Sequence, residues 1–481
     1  MRFSQHTSLA IGTIGYASHL IATSVLGWSH AFSMFSDSAL PDLVFSLSNC
    51  MSFLFGVFFA RMLSRRAGTL AFTGIATVVS LGGAILLRFT PPALPLLALA
   101  CCLLGMGNGF FFLLWQATFS WQSPKIAPRI IIIGSAAAGL ISLTISLLPG
   151  ALPPFPMLLV VLAITVSCLL LLARFHQFGH SCGCQPNKEA RMAGAPLSAQ
   201  LRRVFSVLGR AAFCAGALGF VRCMMPEIAL RESTPDSLNI LMYGGRIAAS
   251  MLLLITWSFL DRHPEPLEKA YYMSFPLIAT LFLFLPFGDK SYQILLSVLT
   301  YIVFSVVSMI MMILCLREAR QSGMAPTLVY GSFAFCVYSL SDAGYVAANL
   351  DAFVPEQIGP IWVSVLALAA VYVLSSALFA TRYRSRPHPA AAHTEALSTP
   401  KPTGPKPDGD DAHRCAAIAE RGGLSPRERE VLALILQGRD LPHISQALFI
   451  SENTVRSHMK NIYRKLNVHS KQEILDLLEQ P

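Results

Sequence analysis

Between Glu452 and Leu466 the chain carries four cations, Arg456, Lys460, Arg464 and Lys465, on a segment whose apolar residues Val455, Met459, Ile462 and Leu466 recur at spacings of four, three and four. That spacing buries one face of a helix. Arg456, Ser457, Lys460, Asn461 and Arg464 fall largely on the opposite side, with Arg456 and Lys460 one turn apart so that both can enter one groove. The chemistry suited to such a face is recognition of double-stranded DNA, whose major groove admits a helix and presents guanine O6 and N7 to Arg or Lys donors. Phosphate contacts position a helix without reading sequence. The candidates for them are Thr454 and the backbone amides at the helix start, together with Arg464, Lys465, Ser470 and Lys471. The competing reading is an ordinary solvated face, since Leu424 to Glu479 holds eight basic and seven acidic residues and is nearly neutral. The gathering of four positive charges on one helix favours nucleic acid.

Four helices would hold that face in place, each with its own start signal. Ser425-Pro426-Arg427-Glu428 is a capping box with proline at the first helical position, and Gly438 follows the apolar run to end that helix. Asp440-Leu441-Pro442 opens a short helix ending near Leu448, Ser451 caps the cationic helix, and Ser470-Lys471-Gln472-Glu473 is a second capping box that opens a fourth. Upstream, from Thr381 to about Gly423, the composition shifts to Pro, Ala, Gly, Ser and Thr, and Pro387, Pro389, Pro400, Pro402, Pro405 and Pro407 bar regular structure. Roughly thirty residues of this kind span about 30 Å as a random coil, enough to act as a tether between a membrane surface and a duplex.

The rest of the chain is unsuited to water. Of 481 residues, 54% are hydrophobic and 13% charged, about half the charged share of a soluble protein. A helix needs about 20 mostly apolar residues to cross the hydrocarbon core. The first 380 residues break into twelve such stretches, near 9–32, 43–63, 69–88, 94–118, 130–148 and 155–173, then 204–224, 238–260, 270–287, 292–316, 325–348 and 359–380. A polar segment from Arg174 to Arg203 separates them into six plus six. Alternate loops hold eighteen Lys and Arg residues against three, and because positive loops stay in the cytoplasm this places both termini there. The expected layout is therefore all-α: a membrane domain over 1–380, a linker over 381–423 and a small four-helix domain over 424–481. Eight cysteines, from Cys50 to Cys336, lie within apolar stretches as small hydrophobes, so no disulfide framework is expected.

Three stretches, Leu424-Ser425-Pro426-Arg427-Glu428-Arg429-Glu430-Val431-Leu432, Ile450-Ser451-Glu452-Asn453-Thr454-Val455-Arg456-Ser457-His458 and Ile462-Tyr463-Arg464-Lys465-Leu466, resemble the LuxR-type helix-turn-helix DNA-binding domain. The resemblance implies a third helix in the major groove with base contacts from Arg456, Ser457 and Lys460, and a fourth helix that dimerises through Leu475 and Leu478. A homodimer reads two half-sites, so a pseudo-palindromic operator is expected. The run Leu441-Pro442-His443-Ile444-Ser445 departs from the family's polar-Lys-Glu-Ile-Ala pattern and loses a phosphate-binding lysine. Residues 1–380, six plus six about a central loop, resemble the major facilitator superfamily. Gly56, Arg61 and Arg65 match that family's signature between the second and third helices, while its acidic position is Ala60 and its second glycine is Leu63. The acidic residue normally anchors a charge network tied to the rocking transition, so its absence points to a sensor derived from a transporter. Together the two resemblances imply a protein of the bacterial inner membrane, in contact with the lipid bilayer, DNA and an unidentified small-molecule ligand.

Polar side chains within apolar spans are the place to seek that ligand. Arg222, Arg246 and Asp342 are the candidates, expected in the outer half of the bilayer; the alternative is that Arg222 snorkels and Arg246 pairs with Asp342 to hold helices together. Asn49, Asn108, Gln116 and His19 read more simply as hydrogen-bond partners between helices. His176, His180, Cys182 and Cys184 supply soft ligands without a second pair at structural-zinc spacing, so no metal is expected, and no cofactor either. No catalytic constellation or phosphate-binding loop occurs, and an enzyme is not expected. Two readings stay open: a membrane-embedded transcription regulator, and a transporter with a regulatory DNA-binding tail.

Overall fold

The computed structural model describes residues 5–27, 40–63, 66–89, 94–148, 154–175, 194–230, 235–262 and 289–349, and, further on, 369, 372, 420, 423–436, 444, 448, 452–466, 468 and 473. All regular structure among them is α-helical. The chain divides into two compact units, Met1–Arg386 and Pro387–Pro481. The expected spans 270–287 and 359–380 (apart from residues 369 and 372), the His176–Cys184 segment and most of the linker lie outside the described residues.

The first unit contains α1 (Gln5–Gly27), α2 (Leu40–Phe58), α3 (Ala60–Leu63), α4 (Arg66–Phe89), α5 (Leu94–Trp121), α6 (Ile126–Leu147) and α7 (Pro154–Phe175), followed by α8 (Leu197–Leu230), α9 (Pro235–Arg262), α10 (Lys290–Ser322) and α11 (Pro326–Asn349). Eight of these helices are long and apolar enough to cross a membrane. They make the first unit a membrane domain. The helices α1 and α11, also expected as spans, are not among the eight. Both carry polar residues that are buried inside the bundle, including His19 and Ser24 on α1 and Ser341 and Asp342 on α11. The expected span 43–63 is broken at Phe59 into α2 and the short α3.

The helix α5 runs through the core. Its residues Leu113, Leu114, Trp115 and Phe119 are fully buried, as befits a helix apolar on every side. Tyr16 of α1 meets Trp115 and Phe119 edge-on, with ring centroids 5.7 and 5.2 Å apart. The seam between the two halves forms where α2 crosses α11 and α6 crosses α9. At the first crossing a Cβ on Gly331 would stand 2.6 Å from the carbonyl oxygen of Phe53, and one on Gly56 2.8 Å from that of Thr327. Only glycine lets the two backbones approach this closely.

Two helices run past their apolar windows. The helix α8 has 34 residues and α10 has 33, so at 1.5 Å per residue each is about 50 Å long, well beyond a hydrocarbon core of about 30 Å. Their charged ends meet: Arg203 Nε donates to Glu318 Oε1 at 3.2 Å. Arg320 donates to the carbonyls of Phe119 and Gln122, at 3.0 and 2.8 Å, and so occupies acceptors left open at the C-terminal end of α5. Asp289 caps the start of α10 by accepting from the Tyr292 amide, and Gly323 ends it in the left-handed conformation at φ 70°. The eight described cysteines are free thiols.

In the second unit α12 (Pro426–Leu436) and α13 (Glu452–Leu466) pack about a separate core of Leu424, Val431, Leu432, Ile435, Ile444, Val455, Ile462 and Val468. Between α12 and α13, Ile444 is helical and accepts from the Leu448 amide at 3.0 Å. Glu473 is helical as well.

Candidate nucleic-acid interface

The capping box is formed. The Ser425 amide donates to Glu428 Oε2 at 2.8 Å, and the Glu428 amide donates back to Ser425 Oγ at 3.3 Å. Two amides at the helix start that lack intrahelical partners are thereby satisfied. Arg427 reaches from the first turn of α12 to the carbonyl of Leu448 and pairs with Glu430, fastening α12 to the turn before α13.

The faces of α13 separate as its sequence predicts. Val455 and Ile462 are fully buried, Met459 and Leu466 pack partly buried against the same core, and Tyr463 joins them. Thr454, Ser457, Lys460 and Arg464 are exposed, and Asn461 is half-buried beside them, accepting from Arg464 Nη2 at 3.1 Å. Val468 donates its amide to the Tyr463 carbonyl at 3.0 Å and is buried, which closes the end of the helix onto the core. Arg456 lies on α13, one turn before Lys460, and its side chain is outside the described set, as are Ser470, Lys471, Leu475 and Leu478.

Lys465 stands apart from the other cations. At 100° per residue it is turned about 140° from Lys460 around the helix axis. Its Nζ donates to Glu428 Oε2 at 2.7 Å and to the Gly423 carbonyl at 3.2 Å. The residue expected at phosphate is thus engaged with the N-terminus of α12. The hydrogen bond from Lys465 and those from Ser425 hold the Glu428 carboxyl below the usual carboxylate range. One carboxylate therefore serves the cap of α12 and the anchoring of α13. The signal for this was legible, since a capping-box glutamate and a lysine on the flank of the next long helix are complementary charges, but only the tertiary fold brings them together.

In the first unit two of the three polar candidates, Arg222 and Arg246, meet at Tyr301, and Asp342 lies on α11. Arg246, buried on α9, donates from Nε to the Tyr301 hydroxyl at 2.9 Å and from Nη1 to Ser24 Oγ at 2.8 Å, bridging α10 and α1. Arg222 on α8 lies over the rings of Phe304 and Tyr301, 5.4 and 6.0 Å from their centroids. Asp342, 3% exposed on α11, accepts from Ser46 of α2 through Oδ1. Asp342 thus engages across the α2–α11 seam, and Arg246 reaches α1 and α10. Among the described residues no group of three or more His, Cys, Asp or Glu side chains is placed to hold a metal.

Residues 423–478 match the family model GerE, bacterial regulatory proteins of the luxR family. The spore germination protein GerE of Bacillus subtilis is 45% identical over 56 residues, which are 11% of this chain and 76% of that protein. A putative HTH-type transcriptional regulator of Aeromonas salmonicida, named for its place in the exeN 3' region, is 44% identical over 63 residues, 13% of this chain and 32% of the relative. The nitrate/nitrite response regulator homologue of Haemophilus influenzae is 50% identical over 48 residues, 10% of this chain and 23% of its own length. The chain thus spans about a third of the Aeromonas relative and a quarter of the Haemophilus one. Among solved structures, a bacterial homologue of the iron transporter ferroportin, in an outward-facing state, aligns over 80% of this chain and all of its own at a TM-score of 0.53 and 11% identity. That likeness is one of fold alone.

Proposed function

Because the chain belongs, through residues 423–478, to the luxR family of bacterial regulatory proteins, we propose that it is a transcription regulator anchored in the bacterial inner membrane, whose bundle senses a small molecule or a membrane state and governs the DNA-binding domain. The observation that carries this reading is the exposed polar face of α13, standing opposite its own core, on the same chain as eight helices apolar enough to cross a bilayer. Arg456, Ser457 and Lys460 read base edges in the major groove. Thr454, Arg464, Ser470, Lys471 and the first amides of α13 meet phosphate, where the helix N-terminus favours an anion. Lys465 orients the helix through Glu428, and its exposed flank leaves it able to approach phosphate as well. Leu475 and Leu478 pair two domains on a pseudo-palindromic operator.

Twelve spans with both termini in the cytoplasm put this domain on the side where DNA lies, which the loop charge asymmetry supports. Sensing by the bundle is tested by deleting residues 1–380. Loss of the response of target genes to the native stimulus is expected; an intact response in the soluble remainder would refute it. A second reading, a transporter with a regulatory tail, draws on the fold of the bundle. Energy-dependent uptake of a solute into vesicles by the full chain would favour it.

A further inference from the structure

Within the first half of the bundle, α1, α4, α5 and α7 enclose a cavity of about 30 Å³. Its polar lining is His19, Ser80, Asn108 and Thr165; Phe111 and Leu162 are among its apolar walls, and among the described residues no Asp, Glu, Lys or Arg borders it. His19 is 2% exposed, its ring set edge-on to Phe112 at 4.5 Å, and its Nε2 has no hydrogen-bond partner among the described residues. A buried polar atom in such a place is costly unless something within the cavity bonds it.

The lining offers two donors and at least two acceptors. Asn108 accepts from Thr23 Oγ1 at 2.8 Å and gives one amide hydrogen to Asn49 Oδ1 at 3.0 Å, which leaves its second hydrogen to donate. The Ser80 hydroxyl is the second donor. Thr165 donates its own proton to the Val161 carbonyl at 2.8 Å and keeps its lone pairs, and in the tautomer protonated at Nδ1 His19 presents Nε2 as a further acceptor. A charged occupant would find no counter-charge here. A water molecule, which accepts two hydrogen bonds and donates two, complements the set, and it needs only about 10–15 Å³ of such volume.

We propose that this cavity is a hydration site, in which a buried water accepts from Asn108 and Ser80 and donates to His19 and Thr165, pinning α1 to α4, α5 and α7. On α1 the pin at His19 lies about one and a half turns from Ser24, the residue through which α1 receives Arg246 from the second half. The site is independent of whether the bundle senses or transports.

Radiolytic hydroxyl-radical footprinting of the full chain in lipid nanodiscs tests it, because radicals formed from a bound water mark the side chains around it. Phe111 is 3% exposed and Phe119 is fully buried away from the cavity lining. The site predicts labelling of Phe111 well above Phe119 in the wild type. His19→Phe, which removes an acceptor and fills the space, brings Phe111 down to the level of Phe119. Thr165→Val, nearly isosteric and lacking the other acceptor, also lowers the Phe111 signal, and it serves where His19→Phe does not fold. Phe111 labelled no more than Phe119 in the wild type, or as strongly in Thr165→Val as in the wild type, overturns the proposal.

Discussion

Replacing Glu428 should loosen both helices of the DNA-binding domain at once. Its carboxylate accepts from the Ser425 amide and from Lys465 Nζ, and its side chain is 6% exposed against 33% for Lys465. Losing a helix cap costs about 0.5–2 kcal/mol, and losing a charge-assisted hydrogen bond about 1.5–3 kcal/mol. Breaking a fully buried ion pair costs about 3–5 kcal/mol, but Lys465 is exposed enough to recover hydration, so the upper end does not apply. The two losses share one side chain and are not additive. About 2–3 kcal/mol is expected for Glu428→Ala, a large fraction of the roughly 3–8 kcal/mol that a domain of this size has in total. Glu428→Gln keeps an acceptor for Ser425 and loses the charge, and should cost about half as much. Hydrogen–deuterium exchange of the full chain reads this locally: exchange in peptides from α12 and α13 should quicken about 30- to 140-fold in Glu428→Ala. A Glu428→Gln, Lys465→Met double-mutant cycle should return a coupling of about 1–2 kcal/mol. Exchange that quickens in α12 alone, or a coupling near zero, would show that the carboxylate does not anchor α13.

Three further outcomes follow from the same structure. The folded Glu428 carboxyl lies below its unfolded value, so its stabilisation is present above the unfolded pKa of about 4.3 and is lost as pH falls through the folded value; protection of α12 should drop in acid, and Glu428→Gln should flatten that dependence. Gly331→Ala drives a Cβ to 2.6 Å from the Phe53 carbonyl and should destabilise the bundle by about 1–3 kcal/mol, whereas Gly74→Ala, which meets nothing within 4 Å, should be neutral or slightly stabilising; thermal unfolding in detergent distinguishes them. Lys460→Ala should weaken operator binding by about 1–3 kcal/mol and relax discrimination at its base, while Arg464→Ala should weaken all sequences alike and reduce the salt dependence, as measured by fluorescence anisotropy across ionic strengths.

Local regularities carried much of this into the sequence. Apolar length alone anticipates the eight helices long and apolar enough to cross a membrane, and the four-three-four spacing of Val455, Met459, Ile462 and Leu466 marks a core face that the fold does bury. The capping box at Ser425 and Glu428 is likewise a matter of residues three apart. What stayed hidden depends on how helices are rotated against one another. Hydropathy finds the part of α8 and α10 that lies in hydrocarbon, but their ends extend to where Arg203 meets Glu318. The contacts of Arg246 with Tyr301 and Ser24, and of Asp342 with Ser46, join helices distant in sequence. The type of Lys465 suits phosphate as well as a carboxylate, and only its angle on the helix brings it to Glu428.

The most direct test of a DNA-reading protein held in the membrane is genome-wide occupancy of the full-length chain beside an Arg456→Ala, Lys460→Ala double variant, with both verified in the membrane fraction. Discrete sites carrying a pseudo-palindromic sequence, present in the wild type and absent from the variant, are the predicted result. Indistinguishable profiles from the two proteins would contradict the account.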